Sequence, residues 1–150
     1  MNKPDFSKPI SDIETVVEGC KDSLAKSDWL CMSLYQILSE SFIEKFEDKV
    51  HWYCISKYQT LSEPFIEKWK DKIDWYCISA WQTLSERFIE KWKYEVNWDC
   101  LLNNKNIHWH EFSEEFFDRY NEYLNLKEIH KRRSFSKQFC LKYNLDYRWS

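Results

Sequence analysis

Five cations stand in one column of this chain: Lys45, Lys68, Lys91, Arg119 and Lys142. Evenly spaced positive charges with aromatic neighbours suit a nucleic-acid backbone, because the cations neutralise phosphates while rings stack on bases. An acid precedes each of the first four (Glu44, Glu67, Glu90 and Asp118), so charge cancels locally and a solvated, ion-paired face is the simpler expectation there. Leu141 replaces the acid beside Lys142, which is therefore expected to escape the cancellation. The same terminal stretch holds Lys127, Lys131, Arg132, Arg133, Lys137 and Arg148, interleaved with Tyr123, Phe135, Tyr143, Tyr147 and Trp149. Arg119, Lys142, these six bases and the rings of Tyr143, Tyr147 and Trp149 form the candidate binding surface, suited to RNA, single-stranded DNA or an acidic protein.

Other reactive residue types point away from catalysis. His108, His110 and Glu111 lie close together, but an H-x-H pair binds metal from an extended strand. On a helix its members diverge, and no further ligand motif accompanies them. They read as loop histidines flanking a packed Trp109. Ser33, Ser56 and Ser79 form a column without a base at matching spacing, so they read as small residues that let helices approach. Gln36, Gln59 and Gln82 form a second column, expected to bond between neighbouring units. Gly19 is the one glycine, which leaves no phosphate-cradling loop. No catalytic residue, metal or cofactor is expected.

These columns exist because a 23-residue unit is written three times: LSESFIEKFEDKVHWYCISKYQT from Leu38, LSEPFIEKWKDKIDWYCISAWQT from Leu61 and LSERFIEKWKYEVNWDCLLNNKN from Leu84. Each unit reads as two short helices. Ser62 is a natural N-cap, Glu63 and Pro64 suit a first turn, and Phe65, Ile66, Trp69 and Ile73 recur as a buried stripe over about nine residues. A second helix starts at a capping position held by Asp28, His51, Asp74 and Asn97 and runs through Trp75, Ile78 and Gln82. Counting back from Trp52 reaches Trp29, and DWLCMSLYQI repeats the second-helix pattern. Counting forward meets five extra residues around Asn103 to Asn106, after which Phe112 and Phe135 restore the period. Ser39, Ser62, Ser85, Ser113 and Ser136 then share the capping column. Phe42, Phe65, Phe88, Phe116 and Phe139 share what is expected to be the deepest core position.

The predicted architecture is an all-α solenoid of stacked short helix pairs. Its parts are an N-terminal arm and capping helix over 1–27, regular repeats over 28–102, a polar interruption over 103–111 and degenerate basic repeats over 112–150. Ser11 and Glu14 form a candidate capping box for the first helix, with Ile13, Val16, Val17, Cys20 and Leu24 on one face. The chain reaches Trp149 with no second helix behind it, so the last repeat is expected to be open to a partner or to self-association. Cys31, Cys54, Cys77 and Cys100 repeat with the unit. Equivalent residues on stacked helices stand about 8 to 10 Å apart, too far for a disulfide, so they read as small buried residues in a reducing compartment. No run of about 18 apolar residues suits a membrane span, and a cytoplasmic, membrane-free protein is expected. Residues 1–117 carry 14 Lys/Arg against 21 Asp/Glu, whereas 118–150 carry 8 against 4, which directs an anionic partner to the C-terminal third.

The string WYCIS, two residues, QTLSE, one residue, FIEKW resembles the short tandem helical repeats of bacteriophage and large-DNA-virus proteins. The resemblance is close over residues 28 to 102 and looser from 112 to 149. It implies a viral or mobile-element origin, where small proteins antagonise host defence by binding; it carries over no site residue. The expected function is a non-enzymatic repeat protein that binds a host protein or ribonucleoprotein complex in the host cytoplasm. The alternative is RNA or single-stranded DNA binding through the basic aromatic C-terminal repeats.

Overall fold

The computed structural model describes residues 4–147, and the all-α expectation holds: these residues form eleven α-helices and no strand. In chain order they are α1 (Ile13–Cys20), α2 (Lys26–Tyr35), α3 (Glu40–Lys45), α4 (Trp52–Tyr58), α5 (Glu63–Lys68), α6 (Trp75–Trp81), α7 (Glu86–Lys91), α8 (Trp98–Asn103), α9 (Glu114–Arg119), α10 (Leu126–His130) and α11 (Lys137–Lys142). Two compact units are formed, one reaching to Cys77 and the other starting at Ile78.

The first helix of each repeat opens under the predicted serine. Ser39, Ser62, Ser85, Ser113 and Ser136 each accept the backbone N–H of the phenylalanine three residues on. These helices run six residues rather than nine. An aromatic residue ends each one, and in the regular copies its carbonyl accepts two N–H groups at once. Phe46 receives Lys49 and Val50, Trp69 receives Lys72 and Ile73, and Trp92 receives Glu95 and Val96, at 2.8–3.1 Å. This doubled acceptance tightens the turn without glycine. The phenylalanine column is buried, but in the regular copies the residue after it lies deeper: Ile43, Ile66 and Ile89 are wholly inaccessible, as are both Phe116 and Phe117. Ring contacts tie successive copies together, with Trp29 5.0 Å from Phe46, Trp52 5.2 Å from Trp69 and Trp98 5.1 Å from Tyr120.

Two starts differ from expectation. Asp12, not Ser11, caps α1 by accepting from Thr15 N–H at 3.2 Å, and Glu14 reaches forward to the Ser39 hydroxyl. Helix α2 begins at Lys26, so Asp28 sits inside it and reaches back to the Ala25 N–H at 2.7 Å. Asp74 and Asn97 do cap as predicted, accepting from Cys77 and Cys100, whereas His51 makes no side-chain cap.

Serine and glutamine join neighbouring copies. Ser33, buried on α2, donates to the Trp29 carbonyl and accepts the His51 N–H at 3.0 Å; Ser56 and Ser79 accept from Asp74 and Asn97 in the same way. The Gln59 amide donates to the carbonyls of Ser33 and Gln36, and its oxygen accepts the Leu38 N–H at 2.9 Å. Gln36 finds equivalent partners in the N-terminal arm, donating to Phe6 and Lys8 carbonyls and accepting from Ile10. The interruption keeps the scheme. Asn104, 1 % exposed, donates to the carbonyls of Ser79 and Gln82, the counterparts of those Gln59 uses. The extra residues also place Trp109 in the core beside Phe112 and Phe117.

A second ladder is ionic and directional. Glu40, at the first position of α3, accepts both the N–H and the hydroxyl of Ser62, and Glu44 accepts from Lys68 at 2.7 Å. Glu86 and Glu90 hold Ser113 and Arg119 in this manner, and Glu114 and Asp118 hold Ser136 and Lys142. Helix α1 supplies the acids Glu14 and Glu18 to Ser39 and Lys45, but carries Ile13 and Gly19 where the receiving serine and lysine would stand. Helix α11 is the reverse, with the receivers Ser136 and Lys142 but Lys137 and Leu141 in place of the acids.

All six cysteines are free thiols; Cys54, Cys77 and Cys140 are buried, while Cys20, Cys31 and Cys100 keep partial exposure that the sequence pattern did not anticipate. Burial pushes the Cys77 thiol up to about 11, so it stays protonated at neutral pH.

Gln59→Ala strips three buried backbone groups of a partner and is expected to destabilise the fold by at least about 2 kcal/mol, read as a lowered urea midpoint. Lys45, Lys68 and Lys142 hold the carboxyls of Glu18, Glu44 and Asp118 below their ordinary values of 4.5, 4.5 and 3.8. The folded state therefore gains from these carboxylates above the ordinary values and loses that gain as pH falls through the lowered ones. The urea midpoint should hold from pH 7 to about 5 and drop below it.

Candidate functional site

Nine of the eleven candidate residues at the C-terminal end lie among the described residues; Arg148 and Trp149 do not. The expectation that Lys142 escapes pairing is overturned: the acid it lacks as a neighbour is supplied one repeat back, by Asp118. The Tyr143 hydroxyl donates to the same Asp118 carboxylate, which raises the Tyr143 pKa. Arg119 pairs with Glu90 and Lys131 with Glu128, the latter at 2.6 Å. Arg132 donates to the Leu102 carbonyl at 2.8 Å. Lys127, Lys137 and Tyr147 are exposed.

Arg133 is a structural residue. Its guanidinium donates to the carbonyls of Trp109, Phe112 and Ser134 and lies 4.9 and 4.6 Å from the rings of Phe117 and Phe135. Burial lowers its pKa, against the pull of Glu114 and Glu86. It thereby pins the segment that follows the interruption to the repeat behind it. The rings expected to stack on a ligand are also largely committed, since Phe135 and Phe139 are buried 4.4 Å apart and Tyr143 packs on Phe139. His108 and His110 stand beside Glu111 at 3.5 and 3.8 Å on the exposed side of buried Trp109.

A different surface is built by the second helices. Their Trp, Ile and Ser positions face inward, which turns two other columns toward solvent. One holds Leu30, Tyr53 and Tyr76, and the other holds Tyr35 and Tyr58, all 38–63 % exposed. Trp81, at the Tyr35 and Tyr58 position of α6, is 52 % exposed. Ile37, just beyond α2, is almost fully exposed. Lys57 is set between the two columns, with its ammonium 5.9 Å from the Tyr53 ring and 5.0 Å from that of Tyr58. The result in the first unit is a tyrosine-rich ridge carrying little charge. Isolated exposed rings are ordinary, but a repeated column of them is the composition of binding hot spots. The signal was present in the sequence, because WYC and the YQT/WQT strings put an aromatic at both positions. It was masked by the abundance of rings that do pack.

No membrane-crossing helix is available in this arrangement: among the described residues none is long and apolar enough.

Arg133→Ala should destabilise the protein by about 2 kcal/mol through lost hydrogen bonds to buried carbonyls, whereas Lys127→Ala should stay within about 0.5 kcal/mol of wild type; paired thermal melts distinguish the two. Replacing Arg133 therefore cannot serve as a clean test of nucleic-acid binding. No family model, curated protein or solved structure matches this chain.

Proposed function

We propose that the protein is a non-enzymatic helical-repeat binding protein whose ridge of Leu30, Tyr35, Tyr53, Tyr58 and Tyr76 docks a partner protein. The observation that carries this reading is the exposure of both columns on helices whose Met/Ile and Ser positions are at most 1 % exposed. Tyrosine offers large contact area with little side-chain entropy to lose, and the scarcity of charge lowers the desolvation penalty at the centre of an interface. The helices beneath are fixed by the glutamine and carboxylate ladders, so binding demands little ordering.

Each unit is read as a stretch of α-solenoid, with the N-terminal arm and α1 as its first cap. Support comes from the arm taking the place of a preceding copy around Gln36, and from α1 presenting forward acids without receivers. A viral or mobile-element origin, and with it a host complex as partner, rests on the resemblance of the WYCIS to FIEKW string alone. Self-association through α11 is disfavoured, because a second copy docking there by the repeat's own geometry would meet Lys137 and Leu141 instead of two carboxylates. The basic C-terminal segment is the weaker surface for nucleic acid, since most of its cations already hold acids or carbonyls.

The test compares capture of partners from host extract by wild type, by a Tyr53→Ser/Tyr58→Ser/Tyr76→Ser variant and by a Lys127→Glu/Lys137→Glu variant, with and without nuclease. The ridge variant should keep its thermal midpoint yet lose the partner, and the lysine variant should retain it. Retention by the ridge variant, or nuclease-sensitive capture lost in the lysine variant, would overturn the reading.

A further inference from the structure

Where one repeat's turn meets the next, the first unit closes the groove with an ion pair. Lys72 pairs with Glu47 of the preceding copy, and its ammonium lies 5.8 and 5.3 Å from the rings of Trp52 and Trp69. The second unit changes both members at the equivalent place. Lys93 stands where Glu47 would, and Tyr123 stands where Lys72 would. No ion pair can form between them, and a cavity of about 530 Å³ opens instead.

The walls of this cavity combine aromatic rings with two cations. Trp98 lines it, with Tyr120 at 5.1 Å and Tyr123 at 5.2 Å, both in stacked orientation. Tyr123 is half-exposed and Tyr94 on the other turn is 88 % exposed, and both rings line this one space. Lys93 sits beside Tyr94 with its ammonium 5.0 Å from that ring, and it makes no ion pair among the described residues. Arg119 also lines the space; one of its terminal nitrogens holds Glu90, which leaves further N–H donors. Glu122 supplies the one lining carboxylate.

We propose that this cavity is a binding site for a nucleotide, whether free or as one unit of a single strand. A flat heterocycle can stack on the ring of Tyr94 or Tyr123, phosphate oxygens accept from Lys93 and Arg119, and Glu122 accepts from a ribose hydroxyl or an exocyclic amine. Stacking on every base type makes such a site tolerant of sequence, and the volume falls in the range of small-molecule sites. A cationic ligand is disfavoured by the two bases, and a simple anion would leave the aromatic faces unused. The site is separate from the tyrosine ridge of the first unit, so each stands or falls alone.

The experiment titrates the full chain with AMP, UMP, an eight-nucleotide oligothymidylate and inorganic phosphate, by calorimetry at low salt. Lys93→Glu/Tyr123→Lys installs in the second unit the residues that close the groove in the first. It should keep the helical circular dichroism spectrum and weaken nucleotide binding at least tenfold. Tyr94→Ala, at a side chain too exposed to support the fold, should weaken it at least threefold. Binding of AMP and UMP supports a free-nucleotide site, and binding of the oligonucleotide alone supports a single-strand site. The ridge variant Tyr53→Ser/Tyr58→Ser/Tyr76→Ser should bind as wild type does. The proposal is overturned if wild type binds none of the nucleotides, if phosphate binds as tightly as AMP, or if Tyr94→Ala binds unchanged.

Discussion

A buried side-chain amide, from Gln36, Gln59 or Asn104, ties a stretch of this chain to the one before it. Helices of six or seven residues are too short to persist by themselves, and each leaves carbonyls at its C-terminal end without intrahelical partners. In α2 those carbonyls are Ser33 and Gln36, and the Gln59 amide occupies both while its oxygen takes the Leu38 N–H. The matching problem at the start of α4 is answered by the Ser33 hydroxyl, which accepts the His51 N–H. A helix pair of this kind is thus completed only by the copy beside it. This explains why the N-terminal arm offers Phe6, Lys8 and Ile10 to Gln36, and why Asn104 preserves the arrangement across the irregular segment.

Once the amides set the contact between copies, the charged surface follows from it. The acids and bases that alternate along the sequence as Glu-Lys do not neutralise each other within a helix; Glu44 meets Lys68 and Asp118 meets Lys142 one copy further on. Ion pairs this exposed contribute little to stability one by one, but they keep the cationic column from acting as an open phosphate track. The surface departs from this scheme where it leaves a position exposed, as at Tyr53 and Tyr58, or swaps its chemistry, as at Lys93 and Tyr123.

The helical class, the serine caps and the bonding role of the glutamine column were legible from the 23-residue period, since each answers to local chemistry. Helix lengths and two starts were not. Asp28 and Ser11 look like caps in isolation, yet Asp28 serves Ala25 from inside its helix and Asp12 displaces Ser11. The candidate site was harder to read, because pairing across copies is invisible to neighbour counting. Lys142 reads as free for want of an adjacent acid, and Arg133 reads as a surface base although its partners Trp109, Phe112 and Phe117 lie 16 to 24 residues upstream. The tyrosine ridge was hidden by its company: in a chain with 28 Phe, Trp and Tyr residues, ring content alone does not separate packing from display.

The unequal ends of the carboxylate ladder bear on how such a chain can change length. Helix α1 gives without receiving and α11 receives without giving, while α3 and α9 do both. A copy that both gives and receives fits beside another of its kind, so adding or removing one whole 23-residue copy leaves the giving and receiving positions matched. Length becomes a variable that evolution can adjust in one step, and the ridge lengthens or shortens with it.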